Sequence, residues 1–403
     1  MTIALRGITW DHPRGLAALV ALGPRSGPRG DIVVGWSARS LKAFGEYPLE
    51  RLVNDYDLLV VDHPHVPLAA EAGLLVPLDS QGRAAELGLL GRQSVGPSFA
   101  SYGHGGHQWA LPIDAAAQVS VYRPDLIGEP PQDWGAVLEL AHEGRARWAG
   151  KPIDALSSFL TLSAQRGARV CDLPGRFVER GVGMVVLNQL HHFSELVGGR
   201  CLSEDPVDVA EALSRSEQWC YAPLVFGYVN YSRPGFRPYR LGYVDLPRGK
   251  TGFVGSCLGG AGVAVSARSA HREAAVECAY WLASAEVQRT AYYWAGGQPA
   301  NALAWEDEDI NADCLGFFSG TRRTLEGASV RPRLSGWMVL QERAGKLVHR
   351  ALRRELSDQA CLEQLDREAE VLLGDSVLHA HQTPSSTVAP GTSQASFAHG
   401  EGA

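Results

Sequence analysis

Short runs rich in β-branched and aliphatic residues alternate with helix-like stretches through the first third of this chain. Ile3 to Trp10, Asp31 to Trp36 and Asp57 to Val61 read as strands, with helical segments between them. Such alternation implies βαβ units on a mainly parallel sheet, and therefore an α/β fold. The first strand runs into Asp11-His12-Pro13-Arg14-Gly15 and then the apolar run Leu16 to Leu22. Asp11 or His12 is placed to cap a helix, and Pro13 suits its first turn. A loop between a strand's carboxyl end and a helix N-terminus is where ligands collect in open α/β sheets, because backbone N–H groups point outward there. A similar loop, Asp62-His63-Pro64-His65, follows the third strand.

With 403 residues the chain exceeds what one hydrophobic core usually organises, so two lobes are expected. Trp109 to Asp125 holds two extended segments in quick succession and reads as the first crossing between lobes. Pro131 to Trp134 then opens an amphipathic helix running to about His142, and Ile153 to Gly167 forms another. Strand patterns return at Trp219 to Phe226 and at Leu241 to Leu246. The Gly-rich stretch Gly255 to Val265 reads as the crossing back. Helices are expected over Ala270 to Ala283 and Ala285 to Ala295, the second stopped by Gly296-Gly297-Gln298-Pro299. A charged helical region follows from Val339 to Leu373, and residues 383–403 are Pro, Ser, Gly and Thr rich and read as a disordered tail. The lobes would then comprise 1–113 with about 264–305, and about 114–263 with about 306–375.

Composition narrows the function classes. A net charge of −7 gives no basic stripe for phosphates, so no nucleic acid partner is expected. No run approaches the 18 uncharged apolar residues of a membrane span, and direct membrane insertion is not expected. The seven cysteines are an odd number without CxxC spacing, which suggests buried free thiols. The N-terminus shows no apolar leader before the first strand. The chain therefore reads as cytoplasmic, or as periplasmic if a leader has been removed.

Four blocks carry a family resemblance: QWALPIDAAAQVSVYRPDL at 108–126, PPQDWGAVLELA at 130–141, GSCLGGAGVAVS at 255–266 and WAGGQPAN at 294–301. Their order and spacing resemble extracellular solute-binding protein family 1, the sugar-binding type of ABC importers. Tyr122 stands where the family carries a Tyr, and Arg123 departs from the commoner Asn. The resemblance implies a periplasmic-binding-protein-like fold of type II: two α/β lobes joined by hinge crossings, with a ligand in the cleft between them. It also implies a monomer that is not an enzyme, uses no cofactor and binds no metal, and that serves an ABC permease if exported.

The candidate ligand-binding residues follow from the strand ends, the crossings and the second lobe's loops. Trp10, Asp11, His12 and Arg14 offer a stacking face, an acceptor, a switchable donor and a fork of donors, and Asp62, His63 and His65 form the matching loop. In both, capping is the competing explanation. Trp36 and Arg39 end the second strand, though a Trp is as readily core. Tyr102, Gln108, Trp109 and Asp114 border the first crossing, and Asp114 could be a ligand acceptor or a hinge anchor. From the second lobe come Tyr228, Asn230 and Tyr231, together with Gly259 and Gly260, whose missing Cβ atoms allow close approach or a tight turn. Gly297 and Gln298 complete the set.

Two other classes remain open. His63-x-His65 and His104-x-x-His107 could hold a metal, and cleft Asp and His residues could do acid–base work. G-x-S-x-G, the phosphate-binding G-x-x-x-x-G-K-[ST] and G-x-G-x-x-G are all absent. The aromatic residues suit a sugar's apolar faces, whereas Arg14 and Arg39 suit a carboxylate-containing compound.

Overall fold

The structure, a computed structural model, describes residues 2–46, 48–80, 82–249 and 255–382. The residues expected to form a tail, 383–403, lie outside this set. Seven strands form one mixed sheet: β1 (Ile3–Trp10), β2 (Ile32–Arg39), β3 (Leu58–Val61), β4 (Ala110–Tyr122), β5 (Tyr221–Phe226), β6 (Gly242–Val244) and β7 (Leu258–Val265). The order is β2-β1-β3-β7-β4-β5, with β6 also paired to β4.

The first strand and the helix after it follow the sequence reading closely. Helix α1 (Pro13–Leu22) has Pro13 in its first turn, and His12 caps it by accepting the Arg14 N–H at Nδ1 over 3.0 Å. Among the described residues the parallel ladders are those that join β2, β1 and β3. Every other ladder is antiparallel, which corrects the expectation of a mainly parallel sheet. The reason lies in β4 and β7: two long strands that cross the molecule in opposite directions must pair antiparallel.

Trp109 to Asp125 also differs from expectation, because its two extended segments are one 13-residue strand. Ala110 to Ala117 pair with β7, and Gln118 to Tyr122 pair with β5 and β6, so β4 belongs to both halves of the sheet. A bulge at Ile113 shifts its register on β7, from Pro112 opposite Gly262 to Asp114 opposite Ala261. Gln288 satisfies the bulge: its Nε2 donates to the Ile113 carbonyl at 3.0 Å, and its Oε1 accepts the Ala300 N–H at 2.7 Å. Gln288 opens a π-helical turn, Gln288–Tyr292, which interrupts the helix expected over Ala285 to Ala295.

Four further helices matter for the site: α2 (Pro152–Ala164), α3 (Pro206–Leu213), α4 (Arg272–Ala283) and α5 (Trp337–Leu352). One apolar core packs Leu5, Leu58, Leu111 and Val263 of the sheet under Ala275, Cys278 and Leu282 of α4. A second is mainly helical, with Leu156 and Phe159 of α2 against Trp337, Leu340 and Val348 of α5. All seven cysteines are buried and free. Arg123, the residue that departs from the family pattern, is fully buried: its Nη1 donates to the Leu213 carbonyl at 2.8 Å and its plane lies 3.8 Å over the Tyr239 ring. Among the described residues no helix is long and apolar enough to cross a membrane.

Candidate functional site

A cavity of about 550 Å³ opens between the two cores. One wall comes from the ends of β1 and β3 and from the short helix Leu41–Glu46, and includes Trp10, Arg14, Phe44 and Asp62. The facing wall is built from the first turns of α2 and α3 and from one side of α5: Lys151, Asp154, Ser157, Asp205, Gln341 and Lys346. Between them lie Asp114 and Ala116 of β4, Gly259 and Gly260 of β7, Phe226 and Tyr228.

Arg14 is the most heavily bonded side chain of the site. Its Nε donates to Asp114 at 2.8 Å, its Nη2 donates to the second carboxylate oxygen, and its Nη1 reaches the Gly227 carbonyl at 2.8 Å. The guanidinium also lies 4.6 Å over the Tyr228 ring. This pair is sealed from water, at 5% exposure for Arg14 and 0% for Asp114, so the Asp114 charge is answered by the protein itself. Burial raises the Asp114 carboxyl against the pull of Arg14. Of its two sequence readings, anchor and ligand acceptor, the geometry fits the anchor.

Asp62 is held in the same manner. Arg331 Nη2 donates to both of its oxygens, at 2.6 and 2.7 Å, and Nη1 donates to Gln341 at 3.1 Å. Against the penalty of burial, Arg331 and His63 hold the Asp62 carboxyl well below the usual carboxylate range. The two histidines of this loop turn away from the cavity into the core. His65 Nε2 bonds the Phe44 carbonyl at 3.1 Å, and His63 is fully buried with its Nδ1 beside Asp62 and Arg331. Burial pushes both imidazoles down to about 4, so they are neutral at pH 7.

The two glycines of β7 have specific tasks. Gly260 has φ +107°, and a Cβ there would stand 2.4 Å from the Asp114 carbonyl oxygen, so only glycine fits beside the bulge. A Cβ on Gly259 would stand 2.8 Å from the Phe226 ring, which its absence lets lie on the cavity floor.

Of the residues singled out from sequence, the structure brings Trp10, Arg14, Asp62, Asp114, Tyr228, Gly259 and Gly260 to the cavity. It does not bring the others. Asp11 is exposed, while His12 caps α1 with its ring edge-on to Tyr228, its imidazole pushed down to about 4 by burial and then by Arg14. Trp36 packs its ring onto Gly7 and Gly23, and Arg39 donates to the Ala43 carbonyl behind Phe44. Tyr102 is core, Trp109 donates its indole N–H to the His104 carbonyl, and Gln108 bonds the Phe99 and Ala110 carbonyls. Asn230 donates to the Gly296 carbonyl, Tyr231 to Glu211, and Gln298 ties Val229 to the Ala115 carbonyl.

The histidine pairs diverge as well. His104 faces Glu71 at 3.1 Å and His107 faces Asp79 at 2.9 Å, on opposite strands of a two-residue hairpin. Among the described residues no three His, Cys, Asp or Glu side chains are grouped to hold a metal.

Sequence reasoning passed over Phe44, Lys151, Asp154, Asp205, Phe226 and Arg331. A signal for three of them exists: Lys151-Pro152-Ile153-Asp154 and Asp205-Pro206-Val207-Asp208 share an x-Pro-x-Asp helix start, with Pro in the first turn and Asp at its third position.

No protein-family model matches the chain. Solved structures do. The maltose-bound MalE3 of T. maritima superposes with a TM-score of 0.77 at 19% identity, covering 92% of this chain and 100% of that one. A ribitol-bound ABC transporter solute-binding protein from Agrobacterium radiobacter gives 0.72 at 21% identity, covering 92% and 98%. One from Thermotoga lettingae bound to alpha-D-tagatose gives 0.74 at 15%, covering 93% and 100%. The chain therefore has the two-lobed α/β fold of ABC-transporter solute-binding proteins, the fold that its sequence blocks resemble.

Proposed function

We propose that the protein is a non-catalytic receptor that closes its cleft on a small polyhydroxylated organic ligand, a sugar or polyol. The observation that carries this reading is the composition of the cavity. Trp10, Phe44, Phe226 and Tyr228 supply aromatic faces, while Asp62 and Asp114 form a polar frame whose carboxylates are already paired with Arg331 and Arg14. Rings that take apolar faces, set among fixed polar groups, suit a sugar or polyol. A carboxylate-containing ligand is less favoured, because Arg14 and Arg331, the guanidinium groups of the cavity, are each committed to an aspartate. The same commitments favour binding over acid–base catalysis. Similarity to structures holding maltose, ribitol and tagatose supports the same class.

In this reading the ligand stabilises the closed arrangement through its contacts with both walls, and an ABC permease is the partner that receives it. The compartment decides between delivery to a permease and a cytoplasmic sensing role, and fractionation of source cells tests it.

Mass spectrometry of small molecules released from the purified protein, paired with a thermal-shift screen of sugars, polyols, carboxylates and divalent metals, tests the function. A sugar or polyol should dominate, since a ligand at 100 times its dissociation constant adds about 2.7 kcal/mol. Stabilisation by carboxylates or metals alone, or turnover of the bound compound, would overturn it.

A further inference from the structure

Asp154 is the one carboxylate of the cavity with no hydrogen-bonded or ion-paired partner among the described residues. It sits in the first turn of α2, lines the cavity and is 5% exposed. The other carboxylates lining the cavity are answered: Asp114 by Arg14, Asp62 by Arg331, Glu342 by Lys346 at 2.5 Å, and Asp205 by Lys151 at 2.6 Å. Lys42, on the opposite wall, has an interaction of its own. A buried carboxylate left without a partner costs free energy that neighbouring side chains normally remove, so its survival here points to a group that arrives from outside.

The surroundings of Asp154 define the charge of that group. Lys151 is the nearby cation, and its ammonium is shared between Asp205 at 2.6 Å and Asp208 at 2.8 Å. Three carboxylates thus stand around one ammonium. The N-termini of α2 and α3 add about half a positive charge each, which still leaves this corner about one charge negative when Asp154 is ionised. Burial raises the Asp154 carboxyl well above its usual range, Asp205 and Asp208 push it the same way, and Lys151 pulls it back. A proton on Asp154 would make the corner neutral. A ligand cation would take that proton's place.

We propose that the corner formed by Asp154, Lys151 and Asp205 is a subsite for a protonated amine, so that the ligand is an amino sugar or another polyhydroxylated amine. The inference rests on the sugar-binding reading and adds the charge of the ligand to it. Aromatic residues hold the apolar faces of the ring, and the ammonium donates to Asp154 at the mouth of α2. No bond within the ligand is made or broken; the amine enters with its own proton, and the proton held by Asp154 is transferred to water.

The test is titration calorimetry on the full chain with matched mono- and disaccharides that differ at one carbon: free amine, the corresponding acetamide, or hydroxyl. The free amine should bind at least about tenfold tighter than either neutral form, since a hydrogen bond to a charged partner is worth about 1.5–3 kcal/mol. Asp154→Asn should bring the three to within about twofold of each other. The comparison within the unaltered protein decides the matter even if the variant folds poorly. Neutral sugars binding as tightly as their amines would overturn this inference and leave the sugar-binding reading standing. Binding of none of the three forms would overturn both.

Discussion

Asp114 and Asp154 are both aspartates buried against the same cavity, yet the protein treats them in opposite ways. Asp114, beside the bulge of β4, receives two hydrogen bonds from Arg14, which also holds the Gly227 carbonyl and lies on Tyr228. Asp154, on the facing wall, receives none. A carboxylate whose needs are met internally is part of the frame, whereas one whose needs are unmet is available to a visitor. Burial alone does not separate the two; the inventory of partners does.

The comparison breaks most visibly at Arg14. Arg14→Ala strips Asp114 of its partner, leaving a buried carboxylate unanswered as Asp154 is, and should cost about 3–5 kcal/mol, read from urea or thermal unfolding. The double change Arg14→Leu with Asp114→Leu should cost less than Arg14→Ala alone, because it removes the stranded charge together with its partner.

Acid gives the next largest effect and sharpens the contrast. His63 and His65 are held at about 4 in the folded protein, below the usual 6.5 of an unfolded chain. As pH falls below 6.5 the unfolded chain takes up protons that the folded one refuses, so stability drops by roughly 2 kcal/mol per histidine by pH 5. Asp154 works in the other direction. Its folded carboxyl is raised, so the destabilisation it causes is relieved as pH falls below that raised value toward the ordinary range of an unfolded carboxylate. The loss between pH 7 and pH 5 should therefore be larger in Asp154→Asn than in the original protein, measured by denaturant unfolding at each pH.

The smallest effect is on stability at neutral pH. Asp154→Asn should leave the ligand-free protein as stable or more stable by about 1 kcal/mol, because an unpaired buried carboxylate is removed. A loss of more than about 1 kcal/mol would show that Asp154 belongs to the frame after all.

Local features of this fold were legible in the sequence where local chemistry decided them. The span of β1, the start of α1 at Pro13 and the Asp133-capped helix from Trp134 to His142 follow from hydrophobic period and capping residues within a few positions. The half of the site at strand ends was legible for the same reason, and gave Trp10, Arg14 and Asp62. What remained hidden depends on partners far apart along the chain. Arg331 answers Asp62 from 269 positions away, and Arg14 answers Asp114 from 100. No window of sequence shows which carboxylate has been answered, so Asp154 looked like any helix-start aspartate. The histidines misled for a related reason: His63 and His65 are two positions apart in sequence, but a 3₁₀ turn aims them into different parts of the core.

The strand β4, shared by both halves of the sheet, keeps the two walls on one covalent and hydrogen-bonded ribbon. A molecule resting on one wall meets the other as a tethered neighbour at high effective concentration, rather than as a second object that must be found by diffusion. Contacts on the second wall then form in a unimolecular step, and several weak ones can add to a firm hold without any single strong one.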